Sequence, residues 1–239
     1  MTTNASRAGL PLVLLPGLLC DAALWAHQRR HLADVAVVSV PDLTGADSVG
    51  DLARHVLDTA PPRFALAGLS MGGYVAFEIL RQAPERVARL CLVDTTARPD
   101  TDEQKERRQG LIRLAKTGKF KGVTPRLLPL LIHPDRMEED AVAGEVMRMA
   151  ERVGRDAFCR QQTAILTRPD SRPDLTRIQV PTLVITGRED QLTPPDRGQE
   201  MADGIAEAKF ALVEQCGHLA PLERPQATTA LMRLWLTQF

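Results

Sequence analysis

Short apolar runs alternating with helical patterns limit what this chain can fold into more than any other feature. Residues 12–15, 35–40, 64–67, 90–93, 183–186 and 210–213 are rich in Val, Leu and Ile and are bounded by Pro, Gly or Asp. That is the signature of strands buried on both faces, as in a parallel sheet. Between them the spacing predicts helices over residues 21–33, 48–59, 71–82, 195–202 and 225–239. Strand and helix in repetition imply right-handed crossovers and an α/β, mostly parallel, doubly wound sheet covered by helices on both faces.

Residues 97–172 break that rhythm. No strand pattern occurs there, and short amphipathic groups such as Leu111, Ile112, Leu114 and Val142, Val146, Met149 take its place. Structureless connections beyond about 15 residues are uncommon in compact domains. The interval is therefore expected to be a helical lid inserted into a core made of residues 1–96 and 173–239.

Composition narrows the function classes. A chain of 239 residues that is 44% hydrophobic and 25% charged is soluble and globular by type, with length for a large core. Lys plus Arg and Asp plus Glu each count 30, so the basic excess of a nucleic-acid binder is missing. The N-terminal apolar run is broken by Pro11 and Pro16, is too short to span a bilayer and is poorly shaped for a signal peptide. It reads as a first buried strand. Cys20, Cys91, Cys159 and Cys216 show no metal or redox spacing, and reduced thiols in a cytoplasm are the expectation.

The stretch FALAGLSMGGYV (residues 64–75) carries the chemistry. Its apolar run stops at Gly68-Leu69-Ser70-Met71-Gly72, a GxSxG pattern between a predicted strand and a helix with apolar Val75, Ile79 and Leu80. A turn that tight strains the serine backbone, requires glycines that remove clashing Cβ atoms, and exposes the hydroxyl above the carboxyl end of the sheet. Gly73 is read as a packing position.

A serine hydroxyl is a weak nucleophile without a base. Of five histidines, His27, His31 and His55 lie on polar helical patterns and are expected on solvated faces, and His133 is read first as a turn in the insertion. His218 follows the run 210–213 and the turn Glu214-Gln215-Cys216-Gly217, which places it in a loop on the same sheet edge as Ser70. An orienting carboxylate is needed as well. Asp190, after the strand pattern 183–186, is favoured over Asp94, which ends the strand pattern 90–93; Glu189 is expected to face solvent. The N–H groups of Met71, after the nucleophile, and of Leu18, in the loop Leu15-Pro16-Gly17-Leu18-Leu19, are the expected oxyanion donors.

The chain order Ser70, Asp190, His218 with a strand-borne GxSxG resembles the α/β-hydrolase superfamily. The proline-glycine turn after the first strand, GxSMGG, a strand ending in GxxD and a late Gly-His make it similar to the branch of small carboxylesterases, haloperoxidase-like enzymes and carbon–carbon hydrolases. The similarity covers residues 11–96 and 173–239 well and the insertion poorly. It departs from the family at Pro16-Gly17, where His-Gly is frequent, so hydrogen bonds made by that histidine are absent here. The resemblance implies an α/β-hydrolase fold and a carboxylesterase-like serine hydrolase that forms an acyl-enzyme on a small ester or thioester, with no cofactor and no metal. It argues against haloalkane dehalogenation, which uses aspartate at the position of Ser70. Carbon–carbon hydrolysis of a diketone-like substrate, perhydrolysis and a non-catalytic ligand receptor stay open on the same fold. Lys and Arg number eight between Lys105 and Arg126 against the one acid Glu106, so an acidic carrier protein is a possible partner at the lid, although a solvated helix face explains the same charges. Leu127, Leu128, Leu130 and Leu131 line an acyl pocket or pack the lid on the core, the latter preferred. No nucleic-acid or membrane partner is expected.

Overall fold

The computed structural model describes residues 9–239; the first eight residues of the N-terminal stretch, which the sequence gives the wrong shape for a signal peptide, lie outside the described residues. Six strands, β1 (Leu10–Leu15), β2 (Ala36–Ser39), β3 (Phe64–Leu69), β4 (Val87–Val93), β5 (Thr182–Gly187) and β6 (Lys209–Val213), form one sheet in the order β2-β1-β3-β4-β5-β6. Every described pairing is parallel. The helices are α1 (Ala26–His31), α2 (Val49–Thr59), α3 (Met71–Gln82), α4 (Asp102–Leu114), α5 (Glu145–Leu166), α6 (Pro195–Gly204), α7 (Ala220–Glu223) and α8 (Pro225–Gln238).

The two-residue period of a strand explains the core. Leu12 and Leu14 of β1, Ala65 and Ala67 of β3, and Leu183 and Ile185 of β5 point to one face, where they meet Trp25, Met232 and Trp235. Val13, Leu15, Leu66, Leu92 and Val184 point to the other, under Val49, Leu52 and Val56 of α2, Val75 and Ile79 of α3 and Met201 of α6. An apolar residue at every position of β3 is thus one residue for each core. The expectation of burial on both faces fails at the sheet edges. β2 is shorter than the apolar run suggests and leaves Val37 63% exposed, and β6 is mostly half-buried, because an edge strand has a neighbour on one side only.

Helix starts follow local chemistry. Ser48 caps α2 by accepting from the Asp51 N–H, and Pro61-Pro62 follow its end. Thr101 and Gln104 form a reciprocal capping box at α4. The segment predicted as one helix over 21–33 begins instead as a 3₁₀ turn, Ala22–Trp25, capped by Asp21, and continues into the short α1.

Between β4 and β5 the described elements are helices and turns, α4 and α5 the longest, with no strand among the described residues. α5 is broken at Gly154, whose φ of 76° and ψ of 175° interrupt the helical path. Leu128, Ile132, Val142, Val146 and Met149 of this insertion join the first core, while Ala164 and Ile165 reach the second. Leu128 therefore packs, whereas Leu127 is exposed. Asp100 lies 2.8 Å from the Arg168 guanidinium and 2.6 Å from that of Arg108, and the Arg168 guanidinium sits 4.2 Å over the ring of Tyr74 on α3. The ion pairs join the two ends of the insertion to each other, and Arg168 ties them to the core at Tyr74.

The β3–α3 corner depends on missing side chains. A Cβ at Gly72 would lie 2.3 Å from the Leu15 carbonyl oxygen, and one at Gly68 would lie 2.4 Å from that of Gly72. Gly72→Ala is expected to cost about 1–3 kcal/mol, because backbone must move to admit the methyl group. Gly45→Ala, with nothing within 4 Å of the new carbon, is expected to stay within about 0.5 kcal/mol of the parent. Urea midpoints of the two variants measure the difference, and equal midpoints would contradict the steric account.

Candidate active site

Parallel strands deliver their following loops to one rim, and this chain concentrates its backbone strain there. Four of the five described non-glycine residues with positive φ, namely Leu19, Ser70, Asp94 and Gln215, lie on the segments following β1, β3, β4 and β6. Ser70 has φ 52° and ψ −114° between β3 and α3, a region that a side chain ordinarily avoids. Its N–H donates to the Val93 carbonyl at 3.0 Å, and its carbonyl accepts from the Thr95 hydroxyl at 2.8 Å. The corner is thereby held on both sides while the side chain makes no cap bond to α3. Gly73 fits the packing role, because a Cβ there would lie 2.4 Å from the Thr95 hydroxyl oxygen.

His218 is 4% exposed. Its Nδ1 lies 2.8 Å from Asp190 Oδ2. An ionised carboxylate only accepts, so Nδ1 carries the proton and the neutral ring keeps its lone pair on Nε2. Asp190 is saturated by further donors: the Leu192 and Thr193 N–H groups on Oδ1 at 2.9 and 3.0 Å, and the Thr193 hydroxyl on Oδ2 at 2.6 Å. Burial alone raises the Asp190 pKa, but the field of His218 and these hydrogen bonds outweigh it and hold the carboxyl below its ordinary range. Burial alone lowers the His218 pKa, and the charge and hydrogen bond of Asp190, followed by the fields of Asp94 and Glu223, carry it above its ordinary value of 6.5.

Asp94, the rival carboxylate, makes no hydrogen bond to the ring. Its two oxygens accept from the Gly187 N–H at 2.8 Å and the Ala220 N–H at 3.0 Å. It joins the end of β4 to the end of β5 and to the residue two beyond His218. Burial, then repulsion from Asp190, pushes its carboxyl well above the usual range. Through Asp94 the segments of Ser70 and His218 are closely linked, since Ser70 is bonded to residue 93 and Asp94 to residue 220. Among the described residues no hydrogen bond joins Ser70 Oγ to the ring.

The loop after β1 runs over the serine. An ideal Cβ on Gly17 would lie 2.9 Å from the Leu69 side chain and 3.4 Å from Ser70 Cβ. The Cys20 N–H donates to the Gly17 carbonyl at 3.1 Å, closing a turn with Leu19 at φ 58°. The Leu19 N–H is taken by Gln161 Oε1 at 3.1 Å, whereas the Leu18 N–H has no acceptor among the described residues. Met71, first residue of the uncapped α3, has no helical acceptor for its own N–H either. A cavity of about 460 Å³ opens between Thr44 and the insertion, lined in part by Phe120, Val153, Gly154 and Arg160. Phe120 and Val153 belong to the apolar cluster that also holds Leu18 and Leu19.

This arrangement on a parallel sheet accords with the family profile that matches residues 12–231, described as the alpha/beta hydrolase family. The chain belongs to the alpha/beta hydrolase family. It is 27% identical over 234 residues to the pimeloyl-(acyl-carrier protein) methyl ester esterase of Nitrosomonas europaea, covering 91% of this chain and 92% of that protein. In structure it is similar to a thermophilic esterase from Thermogutta terrifontis, with TM-score 0.87 and 32% identity over 96% of this chain and 90% of that one. It is also similar to the enol-lactonase from Burkholderia xenovorans, with TM-score 0.84 and 25% identity over 98% of this chain and 94% of that one.

In this alpha/beta hydrolase several neighbours of the site differ from the sequence expectation. Glu189 does not simply face solvent: its carboxylate accepts from the Cys216 N–H at 2.8 Å. His27 is half-buried, with Nδ1 2.8 Å from the Thr229 hydroxyl, rather than solvated. His133, by contrast, is the turn residue that the sequence suggests, its Nδ1 accepting from the Asp135 N–H at 3.2 Å. Glu223 belongs to no sequence motif. It is 1% exposed, and its carboxylate collects the N–H groups of His133, Gly217 and Leu219 at 2.7, 3.1 and 3.0 Å. The late Gly-His had a partial signal for this brace in the acidic residue five positions on.

The electrostatics give a direct test. Ring-proton NMR should show His218 titrating above 6.5 in the parent protein. In Asp190→Asn the largest charge that raises the ring is gone while burial and the weaker fields of Asp94 and Glu223 remain, so the midpoint should fall relative to the parent. A midpoint that does not move would show that Asp190 does not set the state of the ring.

Proposed function

We propose that the protein is a serine hydrolase that cleaves a small carboxylic ester or thioester through an acyl-enzyme, with Ser70 as nucleophile, His218 as base and Asp190 as its orienting carboxylate. The observation that carries this reading is the buried His218–Asp190 pair at 2.8 Å, with its lone pair on Nε2, on the rim where Ser70 stands at a strained corner. The esterase relatives favour ester cleavage over carbon–carbon hydrolysis or perhydrolysis.

In this reading Ser70 Oγ bonds to the substrate carbonyl carbon as its proton passes to His218 Nε2. The carbonyl π electrons move to oxygen, and the N–H groups of Leu18 and Met71 receive the resulting oxyanion. Collapse breaks the bond to the leaving alcohol or thiol, which takes the proton from Nε2. Water then gives a proton to Nε2 and attacks the acyl carbon, and the second collapse releases the acid and returns the proton to Ser70. In this reading the insertion acts as the lid over this site, its Phe120 and Val153 packing in one apolar cluster with Leu18 and Leu19.

Ser70→Ala should fold normally and lower turnover of a simple aryl ester by at least about 10⁴-fold. It should also abolish labelling by a serine-directed phosphonate. Turnover equal to the parent would refute the assignment, and a parent protein that binds ester without hydrolysing it would point to a receptor. A panel of esters, thioesters and one diketone of varied acyl length orders the substrate classes.

The charge on the insertion favours a carrier-bound substrate. Lys105 pairs with Asp102, and Arg108 with Asp100. Arg107, Arg113, Lys116, Lys121 and Arg126 are exposed without an ion pair among the described residues, an attractive surface for an acidic carrier protein. The relative from Nitrosomonas europaea is named for such a substrate. Exchanging Arg107, Arg113 and Lys116 together for glutamate should raise KM for a carrier-bound ester at least about tenfold while KM for an aryl ester stays within about twofold. An equal effect on both substrates would remove the docking idea.

A further inference from the structure

We infer that Gln161 is a positioning residue of the oxyanion hole, holding the Leu18–Leu19 peptide from the insertion so that the Leu18 N–H stays free and aimed at the reacting carbonyl. The inference rests on the hydrolase reading above and adds to it a residue remote in sequence from every motif.

Gln161 lies on α5 and is 1% exposed. A buried amide must find partners for both ends, and it does so across two core loops. Oε1 accepts the Leu19 N–H at 3.1 Å, and Nε2 donates to the Leu43 carbonyl at 3.2 Å. The neighbouring turn accounts for the remaining polar groups: the Cys20 N–H goes to Gly17, and the Cys20 thiol lies 3.5 Å from the Leu18 carbonyl. Of the consecutive N–H groups of Leu18, Leu19 and Cys20, only that of Leu18 is left without an acceptor among the described residues. Leu19 has φ 58°, an unfavourable conformation for a branched side chain that persists only where surrounding contacts hold it. Gln161 is the side chain that holds its N–H. Because Gly17 stacks on Leu69 and Ser70, a small rotation of this turn swings the Leu18 N–H away from the carbonyl oxygen that Ser70 would attack. The effect belongs to the transition state, since the donor matters most when charge develops on that oxygen.

Gln161→Met keeps the volume and removes both hydrogen bonds. Gln161→Glu keeps the acceptor for Leu19, because either protonation state of its carboxyl accepts from that N–H. The measurements are kcat and KM on an aryl ester, affinity for a trifluoromethyl ketone that mimics the oxyanion, and amide hydrogen exchange at Leu19. In Gln161→Met, kcat is expected to fall about 10- to 100-fold with KM within about twofold, and ketone affinity to fall by a similar factor. Leu19 exchange should accelerate. Gln161→Glu should retain Leu19 protection and recover most of kcat. A folded Gln161→Met with kcat within about threefold of the parent overturns the inference, as does a loss expressed in KM alone. Should Gln161→Met fail to fold, a 100-fold loss of kcat in Gln161→Glu with Leu19 still protected overturns it, taking about one full oxyanion donor as the yardstick. If Ser70→Ala turns over like the parent, the hydrolase reading fails and this assignment falls with it. If Ser70 is essential and Gln161→Met is unaffected, only this assignment fails.

Discussion

The close approach of β3, α3 and the end of β1 is the constraint on which the rest of the rim depends. The chain leaves β3 and enters a helix within one residue, Ser70, and does so at φ 52°. That corner exists because Gly68 and Gly72 have no Cβ: each would put a carbon within 2.4 Å of a backbone oxygen. Gly17 then lets the β1 loop lie on Leu69 and Ser70. Strain at Ser70 is offset by its hydrogen bonds to Val93 and Thr95, so the elements beside β3 stabilise what β3 and α3 alone would not keep. The burial of two apolar layers against the sheet supplies the rigidity that this requires.

Three buried carboxylates around His218 divide the work by what they accept. Asp190 takes the ring proton donor and three further donors, and its saturation keeps it ionised beside the imidazole. Asp94 and Glu223 take backbone N–H groups, Asp94 from Gly187 and Ala220, Glu223 from both sides of His218. The His218 loop has little regular structure of its own, so buried acceptors replace the ladder a strand would provide. The His218 N–H donates to the Leu131 carbonyl at 3.0 Å, and a Cβ on Gly217 would lie 2.9 Å from the backbone of Ile132 and His133. The insertion therefore meets the rim on the histidine side through residues 131–133 and on the β1 side through Gln161. Its packing against Leu18 and Leu19 couples the shape of the insertion to the geometry of the site, which a separate domain resting on the core would not do.

The order of strands and helices was legible in the sequence because hydrophobic period and turn chemistry are local properties. All six strands stand where the apolar runs predict them within a few residues, and the glycines at the Ser70 corner announce a backbone that only a close approach requires. Ser70, Asp190 and His218 were picked out by their positions after apolar runs, and the parallel topology brings their loops to one rim. The sequence favours Asp190 over Asp94 as the ring's partner although both end strands, and only the packed loops give each its contacts: Asp190 reaches the ring, and Asp94 reaches the N–H groups of Gly187 and Ala220. Tertiary structure likewise assigned Glu223, Glu189 and Gln161 to backbone N–H groups between 4 and 142 residues away. The physical reason is that a side chain's period and neighbours in sequence show whether it is buried, whereas its hydrogen-bond partner depends on which distant loops the packed layers force together.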